Sequence, residues 1–305
     1  MPPPVLSLSV WRLPVRCSFP QRLHALRVSF QSRRRPSLPT CASAAPSGVE
    51  FAGVTFAGAG PGDPALCTIA TAAALASADA ILYDDLGCQA VMDEHAAKDA
   101  QKVYVGKRGA RDGATGATAQ SAICEEIVRR ALDGERVVRL KGGDPSTFGR
   151  LQDEIEACKA NSLSWRVIAG VTSASAAAAS LGVPLTAPRA RRQVASLSVV
   201  SAHADVDWTS VSRGANTIAI YMGARKLESL ARRLCAERGD STPCMGVRRA
   251  SSPDEARWVG TLAEAADGRM REALTDRKDE SQKNDSDLSP LLVVVGEAAK
   301  SDDDT

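Results

Sequence analysis

The sequence predicts an α/β protein made of two α/β domains, with a ligand-binding cleft between them. In the first half, short apolar segments alternate with helical patterns, which indicates a mostly parallel sheet covered by helices. In the second half, strand signals near residues 244 and 257 lie too close together for a helical crossover, so that sheet is mixed. Three strand ends lead into loops of glycine and other small residues, and open α/β folds bind ligands at the carboxyl ends of their parallel strands.

The predicted N-terminal domain covers residues 51–168. Its strands are expected at 54–57, 80–83, around 103–105, 136–140 and 165–168, and its helices at 66–78, 120–132 and 149–160. The helix at 120–132 carries Ile123, Ile127 and Val128 on one face. Gly134 marks its end, because glycine readily adopts the left-handed conformation that closes helices.

The predicted C-terminal domain covers residues 169–299, with the boundary near Ala169-Gly170. Its strands are expected at 197–201, 217–221, 244–248, 257–260 and 291–295, and its helices at 226–237 and 262–273. Residues 275–287 are almost entirely polar or charged. They predict a disordered insertion, because such a segment has too little apolar surface to bury.

The N-terminal segment, residues 1–48, has the composition of an organellar transit peptide. Residues 1–49 contain seven arginines, many serines and no lysine, aspartate or glutamate. Several prolines oppose one continuous amphipathic helix, which favours a plastid over a mitochondrion and predicts location in the chloroplast stroma. The alternative is a disordered basic arm that stays on the protein.

Composition also excludes several classes of function. Without the first 49 residues the chain has 31 basic and 36 acidic side chains, a net charge of −5, which does not favour a nucleic-acid partner. No apolar run is long enough to span a membrane. No Cys-x-x-Cys pair and only three histidines are present, so the spacing of a metal site is absent. Cys67, Cys124 and Cys235 are expected to be small buried apolar residues rather than redox groups.

Three loops after predicted strands carry the candidate ligand site. They are Gly58-Ala59-Gly60-Pro61-Gly62-Asp63, Gly142-Gly143-Asp144-Pro145 and Gly170-Val171-Thr172-Ser173. The first loop departs from the Gly-x-Gly-x-x-Gly pattern of dinucleotide sites, since Pro61 offers no N–H to a phosphate and Asp63 would repel one. A ligand without phosphate, with polar adenosine and amino-acid ends, fits this loop better.

Six short motifs occur in the order typical of one enzyme family. They are Tyr83-Asp84-Asp85-Leu86, Val105-Gly106-Lys107-Arg108, Leu140 to Pro145, Phe148-Gly149-Arg150, Gly182-Val183-Pro184-Leu185-Thr186 and Tyr221-Met222-Gly223. Over residues 53–299 the chain therefore resembles the uroporphyrinogen-III C-methyltransferases of the tetrapyrrole methylase family. The resemblance implies S-adenosyl-L-methionine as cofactor, a carboxylate-fringed tetrapyrrole as substrate and assembly as a homodimer.

The resemblance also assigns binding residues. For the cofactor these are Pro61, Gly142, Gly143, Asp144, Thr147, Thr172, Ser173, Met222 and Ala250. For the carboxylates of the implied substrate, we expect Arg108, Arg150 and Arg189 as binding residues, since arginine binds carboxylates with two parallel hydrogen bonds. The alternative for Met222 is packing in the core, and for the arginines a solvated surface.

Asp84 and Lys107 are the catalytic candidates. Asp84 follows the apolar run 80–83, which places its carboxylate at a strand end beside the cleft. The resemblance implies that Asp84 is an acceptor and Lys107 a donor near the reacting pyrrole, with no metal required. The alternative for Asp84 is a helix N-cap, a role that Asp85 could fill equally well.

The leading hypothesis is a plastid enzyme that methylates uroporphyrinogen III at C-2 and C-7 and gives precorrin-2 for sirohaem. The chain departs from the family on the substrate side, with Ser146-Thr147 in place of bulky residues and Ala187-Pro188-Arg189 in place of His-Arg. That departure motivates the alternative of a catalytically weak paralogue that binds cofactor or tetrapyrrole as a regulatory module. A methylase of a later precorrin is a third hypothesis, against which the motifs at 83–84 and 106–108 argue.

Overall fold

The computed structural model describes residues 51–106, 120–186, 194–275 and 288–299. These residues form two five-stranded sheets, one parallel and one mixed, with helices on both faces of each. The predicted α/β fold class is therefore confirmed. Residues 1–48 and 276–287, where we predict a transit peptide and most of a disordered insertion, lie outside the described residues.

The first sheet is entirely parallel. Its strands are β1 (Val54–Gly58), β2 (Ala80–Tyr83), β3 (Gln101–Tyr104), β4 (Val137–Lys141) and β5 (Trp165–Ile168), in the order β3-β2-β4-β1-β5. The helices are α1 (Ile69–Ala76), α2 (Cys88–His95), α3 (Gln120–Leu132) and α4 (Leu151–Ala160). The central strands β1 and β4 are buried along their whole length, as expected for a parallel sheet covered on both faces.

Alternation along the strands distributes side chains to two separate cores. Phe56 and Val137 pack with the apolar faces of α3 and α4. Ala57 and Leu140 point to the opposite face and pack with α1 and α2. Because all five strands run parallel to one another, their carboxyl ends lie at one edge of the sheet, and the glycine loops begin there.

The second sheet is mixed. Its strands are β6 (Leu197–Ser201), β7 (Thr217–Tyr221), β8 (Pro243–Arg248), β9 (Ala256–Thr261) and β10 (Leu291–Gly296), in the order β6-β7-β10-β8-β9. Among the described pairings, β6–β7 is parallel and the other three are antiparallel. Helix α5 (Ser173–Leu181) packs on one face; α6 (Trp208–Gly214), α7 (Leu227–Arg238), α8 (Leu262–Ala266) and α9 (Arg269–Leu274) cover the other.

Four details of the helices differ from the prediction. Helices α2, α5 and α6 were not predicted; α5 is mostly alanine and serine, so its sequence lacks the contrast between apolar and polar faces on which the prediction depends. The helix predicted at 262–273 is divided in two, because Gly268 has φ +89° and ends α8.

No helix in the described part of the chain is long and apolar enough to cross a membrane.

The cysteine prediction was partly wrong. Cys67, Cys124 and Cys235 are only partly buried, while Cys88, Cys158 and Cys244 are the buried thiols. Burial raises the pKa of the Cys158 thiol to about 12 and raises that of Cys88 well above its usual value. These thiols remain protonated at neutral pH, which suits small core residues.

Candidate functional site

Three glycines from separate parts of the chain meet at the carboxyl ends of β1, β4 and β5. A Cβ atom at Gly58 would lie 2.5 Å from the carbonyl oxygen of Gly143 and 2.7 Å from the Cα atom of Gly170. The Gly60 N–H donates to the Gly143 carbonyl at 3.1 Å, and the Gly143 N–H donates to the Gly60 carbonyl at 2.7 Å. The three loops predicted to line one cleft therefore do lie together, and only glycine permits this closeness.

The adjacent glycines 142 and 143 have different requirements. A Cβ atom at Gly142 would overlap the backbone and side chain of Leu86, so Gly142 allows the β2 and β4 loops to pack together. Gly143 has φ +70°, and a Cβ atom there would meet nothing within 4 Å. The exposed side of Gly143 therefore leaves room for a ligand to approach the backbone.

Asp144 fixes one wall of this cleft. Its Oδ2 accepts a hydrogen bond from the Gly170 N–H at 2.9 Å. Its Oδ1 accepts from the Ser146 N–H at 2.8 Å and from the Ser146 hydroxyl, and its carbonyl accepts from the Thr147 N–H at 3.1 Å. The Asp144 carboxylate thus joins the loop after β4 to the loop after β5. This is a structural role in addition to the predicted contact with the cofactor.

Tyr221, the last residue of β7, connects the second sheet to the loops of the first. The Thr172 and Tyr221 hydroxyls form a hydrogen bond of 2.6 Å, and the Ala174 N–H donates to the Tyr221 hydroxyl at 2.9 Å. The Tyr221 ring also lies 5.2 Å from the ring of Phe148, centroid to centroid. Ser173 begins α5 between these contacts, so Tyr221 holds the start of that helix at the cleft.

Met222 and Ala250 follow two strands of the second sheet. Met222 has φ +59° and the residue is 43% exposed, so the alternative of packing in the core is wrong. A positive φ at a residue other than glycine is strained and often marks a functional position. Ala250 is buried against α5 and lies between Arg249 and Ser251, which both have positive φ.

Asp84 lies where β2 ends and is 19% exposed. Its Oδ1 accepts hydrogen bonds from the Leu86 N–H at 3.2 Å and from the Cys88 thiol at 3.5 Å, and its Oδ2 lies 3.4 Å from Nη2 of Arg139. The N-cap of α2 is Gly87, so neither Asp84 nor Asp85 fills the cap role. Asp85 instead accepts from the Tyr104 hydroxyl at 2.6 Å.

The structure describes some of the remaining predicted site residues and not others. Pro61 lies against the α2 start, since a Cβ atom at Gly87 would come within 3.0 Å of its carbonyl oxygen. Arg150 begins α4 with φ +51°, and its exposed guanidinium lies 2.9 Å from Oδ2 of Asp153. Lys107, Arg108 and Arg189 lie outside the described residues, so their predicted roles remain predictions.

A second depression, of about 510 Å³, lies at the opposite edge of the first sheet. Asp79, Gln101 and Arg136 line it, and they stand at the amino ends of β2, β3 and β4. Ligands of open α/β folds bind at the carboxyl ends of strands, so the glycine loops mark the better candidate. Within the described ranges, no group of three His, Cys, Asp or Glu side chains could hold a metal ion.

The sequence pattern of the Tetrapyrrole (Corrin/Porphyrin) Methylases matches residues 53–266. The chain belongs to this family. It is 39% identical over 254 residues to a sirohaem synthase of Gluconacetobacter diazotrophicus and 38% identical over 217 residues to sirohaem synthase 1 of Yersinia enterocolitica. These matches cover 81% and 69% of this chain but 50% and 44% of the relatives, so the chain spans about half of their length.

Solved structures of tetrapyrrole methylases show the same arrangement. The uroporphyrin-III C-methyltransferase of Thermus thermophilus superposes with a TM-score of 0.62 at 32% identity, covering 80% of this chain and 97% of that one. The same Thermus enzyme is also known in complex with S-adenosylhomocysteine, and that structure matches equally well. A cobalt precorrin-4 methyltransferase, at 23% identity and a TM-score of 0.64, supports the fold alone.

Sequence reasoning missed one group of residues in this tetrapyrrole methylase. Arg139 and Lys141 of β4 are buried, and so is Glu154 of α4, which lies within ion-pair distance of both. Burial and the neighbouring Arg139 guanidinium lower the pKa of the Lys141 ammonium. The available signal was two cations at alternate positions of an apolar strand, where a charge must find a buried partner.

Proposed function

We propose that this protein uses S-adenosyl-L-methionine to methylate uroporphyrinogen III at C-2 and C-7, giving precorrin-2 for sirohaem biosynthesis. The observation that carries the proposal is the meeting of Gly58, Gly143 and Gly170 at the carboxyl ends of β1, β4 and β5, with nothing within 4 Å of where a Cβ atom of Gly143 would lie. The similarity to the Thermus uroporphyrin-III C-methyltransferase supports the reaction and its substrate. The sirohaem synthases support the pathway.

The groups around the glycine loops fit S-adenosyl-L-methionine. In the described part of the chain, these groups are mainly backbone atoms, the hydroxyl of Thr172 and the exposed apolar side chains of Phe148 and Met222. Pro61 provides no N–H where a pyrophosphate would need one, so an uncharged nucleoside with a zwitterionic tail fits better than a dinucleotide. When bound, the cofactor supplies a methyl group that is already activated by its sulfonium.

The chain's own task in this reaction is to position the two reactants and to stabilise charge. Methyl transfer requires in-line geometry, and the closely packed, hydrogen-bonded junction of the glycine loops supplies a wall against which a ligand can be held. The alkylated pyrrole becomes positively charged, and the Asp84 carboxylate lies at the adjacent strand end, where it can stabilise that charge or accept a proton. Lys107 is the proposed donor.

The substrate carries several carboxylates, and the described part of the chain offers Arg150 in the loop after β4. Arg150 follows Phe148 in the β4 loop, and both residues have positive φ and are exposed. The Arg150 guanidinium, which contacts Asp153 on the surface, is the proposed partner of a substrate carboxylate, and Phe148 presents an apolar ring beside Tyr221 to a macrocycle. Arg108 and Arg189 are proposed to bind further carboxylates.

The test is incubation of the full chain with uroporphyrinogen III and methyl-labelled S-adenosylmethionine, followed by mass and ultraviolet–visible spectra of the product. Two labelled methyl groups and the spectrum of precorrin-2, or of its oxidised form, are expected. Binding of S-adenosylhomocysteine without methyl transfer would instead favour the weak paralogue. Transfer only to a later precorrin would favour the third hypothesis.

We also propose that the mature protein acts as a homodimer in the plastid stroma. The support for the plastid is the arginine-rich, acid-free composition of residues 1–49, and the support for the dimer is the assembly that the resemblance to the methyltransferases implies. Mass spectrometry of the organellar protein should find an N-terminus beyond about residue 39, whereas an intact Met1 would contradict the proposal. Sedimentation of that protein should give twice the mass of one chain.

A further inference from the structure

Four charged side chains form a cluster beneath the cleft, which we call the β4 charge cluster. Its members are Arg139 and Lys141 of β4, Glu154 of α4, and Asp84 after β2. The first two are 5% exposed and Glu154 is 1% exposed. Two cations and two carboxylates balance one another, so the cluster is neutral although it lies mostly out of water.

Glu154 is the centre of this cluster. Its Oε1 accepts a hydrogen bond from Nζ of Lys141 at 2.8 Å and lies 3.3 Å from Nε of Arg139, while its Oε2 lies 2.7 Å from Nζ of Lys141. The Gln120 amide of α3 donates to the same Oε1 at 3.3 Å. One buried carboxylate thus fixes two cations and joins two helices to the central strand.

Each cation then reaches out to one loop of the cleft. Arg139 places Nη2 3.4 Å from Oδ2 of Asp84, and its Nη1 donates to the carbonyls of Leu82 and Leu140 at 3.3 and 2.7 Å. Lys141 donates from Nζ to the carbonyl of Gly149 at 2.7 Å. Gly149 precedes Arg150, so the second link ends at the turn that presents the proposed substrate-binding guanidinium.

Stability alone does not account for this arrangement. Buried ion pairs cost much desolvation energy, and replacing them with apolar residues of similar size is often neutral or stabilising. The neighbouring positions of β4 show that the strand accommodates apolar side chains, since Val137 lies on the same face and packs against Ile155. The charged side chains of Arg139 and Lys141 instead connect the loops that follow β2 and β4.

We propose that Glu154 is a positioning residue of the reaction. Through Arg139 it orients the Asp84 carboxylate, and through Lys141 it holds the Gly149-Arg150 turn, so that the two sides of the substrate site keep a fixed separation. What Asp84 and Arg150 do to the substrate rests on the proposed function. That Glu154 fixes their positions rests on the contacts above.

The test compares Glu154→Gln with Glu156→Gln. Both substitutions remove one carboxylate from α4 and keep its shape, but Glu156 is exposed and hydrogen-bonds only Gln152 among the described contacts. Glu154→Gln should lower kcat about a hundredfold, as expected for small displacements of reacting groups, and leave S-adenosylhomocysteine affinity within about twofold. Glu156→Gln should leave kcat, KM and this affinity unchanged.

A readout independent of activity is hydrogen exchange of the backbone in residues 145–150. Exchange there should be faster in Glu154→Gln than in the wild type and unchanged in Glu156→Gln. If the wild type does not methylate uroporphyrinogen III, the proposed function fails, but faster exchange in the first variant alone still supports positioning. Equal exchange in all three proteins would overturn it, whatever the activity.

The double variant Glu154→Gln, Lys141→Met separates positioning from stability. It removes one buried charge of each sign, so it should regain much of the thermal stability that Glu154→Gln loses. The Gly149 carbonyl still lacks the hydrogen bond from Lys141, so neither kcat nor the hydrogen-exchange rate of residues 145–150 should return to the wild-type value. Recovery of kcat together with stability would show that Glu154 serves the fold alone. If the single variant does not fold, the double variant provides the same readouts.

Discussion

The hydroxyl groups of Thr172 and Tyr221 lie 2.6 Å apart and join the loop after the first sheet to a strand of the second. The same tyrosine oxygen accepts the N–H of Ala174 at 2.9 Å. Thr172 stands at the N-cap position of α5 but makes no side-chain cap hydrogen bond, because its hydroxyl is directed to Tyr221 instead. This one residue pair therefore sets how the start of α5 lies against the cleft.

Removing the Tyr221 hydroxyl should weaken ligand binding as well as the fold. Tyr221→Phe keeps the ring contact with Phe148 but deletes two hydrogen bonds, each worth about 1 kcal/mol. We expect S-adenosylhomocysteine affinity, measured by calorimetry, to fall about tenfold, which corresponds to about 1.4 kcal/mol. Tyr104→Phe is the control, since it deletes a hydroxyl bonded to Asp85; an equal loss of affinity in both variants would contradict the prediction.

Gly143 should be essential for cofactor binding, because we propose that the cofactor approaches its open side. Gly143→Val adds a Cβ atom that meets no protein atom within 4 Å, so its main effect on the fold should be the strain of a positive φ, about 1–2 kcal/mol. Gly134→Val is a matched control, with φ +86° and equally open surroundings at the amino end of β4. Both variants should lose similar thermal stability, but only Gly143→Val should lose S-adenosylhomocysteine binding. Unchanged affinity in Gly143→Val would refute the placement of the cofactor.

Asp84 should matter for turnover rather than for cofactor binding. Asp84→Asn keeps the shape of the side chain and removes the charge, so kcat should fall about a hundredfold or more with S-adenosylhomocysteine affinity nearly unchanged. Asp85→Asn, one residue further on, should retain near-wild-type kcat. Normal turnover in Asp84→Asn would assign this carboxylate to the loop structure that it forms with Leu86 and Cys88.

Lys107→Met tests the second catalytic candidate. If Lys107 is a donor, kcat should fall as it does in Asp84→Asn. If Lys107 only binds a substrate carboxylate, KM should rise while kcat changes little. Steady-state kinetics with uroporphyrinogen III separates these two results, and unchanged kcat and KM would exclude both roles.

The Asp79–Arg136 pair should make stability depend on pH in the acid range. Hydrogen bonds from the Arg136 side chain and N–H lower the pKa of Asp79 to about 2, below the value of about 3.9 expected in the unfolded chain. The stabilisation is therefore fully present above pH about 4 and is lost as pH falls through about 2. Both side chains are about a third exposed or more, so we expect a contribution of about 1 kcal/mol or less.

Thermal melting of the wild type and Asp79→Asn at several pH values checks this expectation. The variant should melt at a lower temperature at pH 7, and the difference in Tm should shrink as the pH approaches 2. A difference in Tm that stays constant down to pH 2 would show that the pair does not titrate as described.

The sequence by itself determined most of the elements and the identity of the loops. The strands predicted at 54–57, 80–83 and 165–168 lie within one residue of the observed β1, β2 and β5, because each is a short run of mainly apolar residues. The motifs also indicated the family correctly. Helix α5 was not predicted, because an alanine-rich helix shows no amphipathic pattern in its sequence.

Only the tertiary structure decided which of these residues meet. The order β3-β2-β4-β1-β5 brings Gly58, Gly143 and Gly170 together across more than a hundred residues, and no local pattern specifies that order. The same holds for Arg139 and Lys141, whose charges could be buried only because α4 supplies Glu154 above them. The residues of one short segment determine whether it forms a strand, a helix or a turn. The pairing of distant strands and the neutralisation of buried charges depend instead on contacts between segments, which form only when the chain folds.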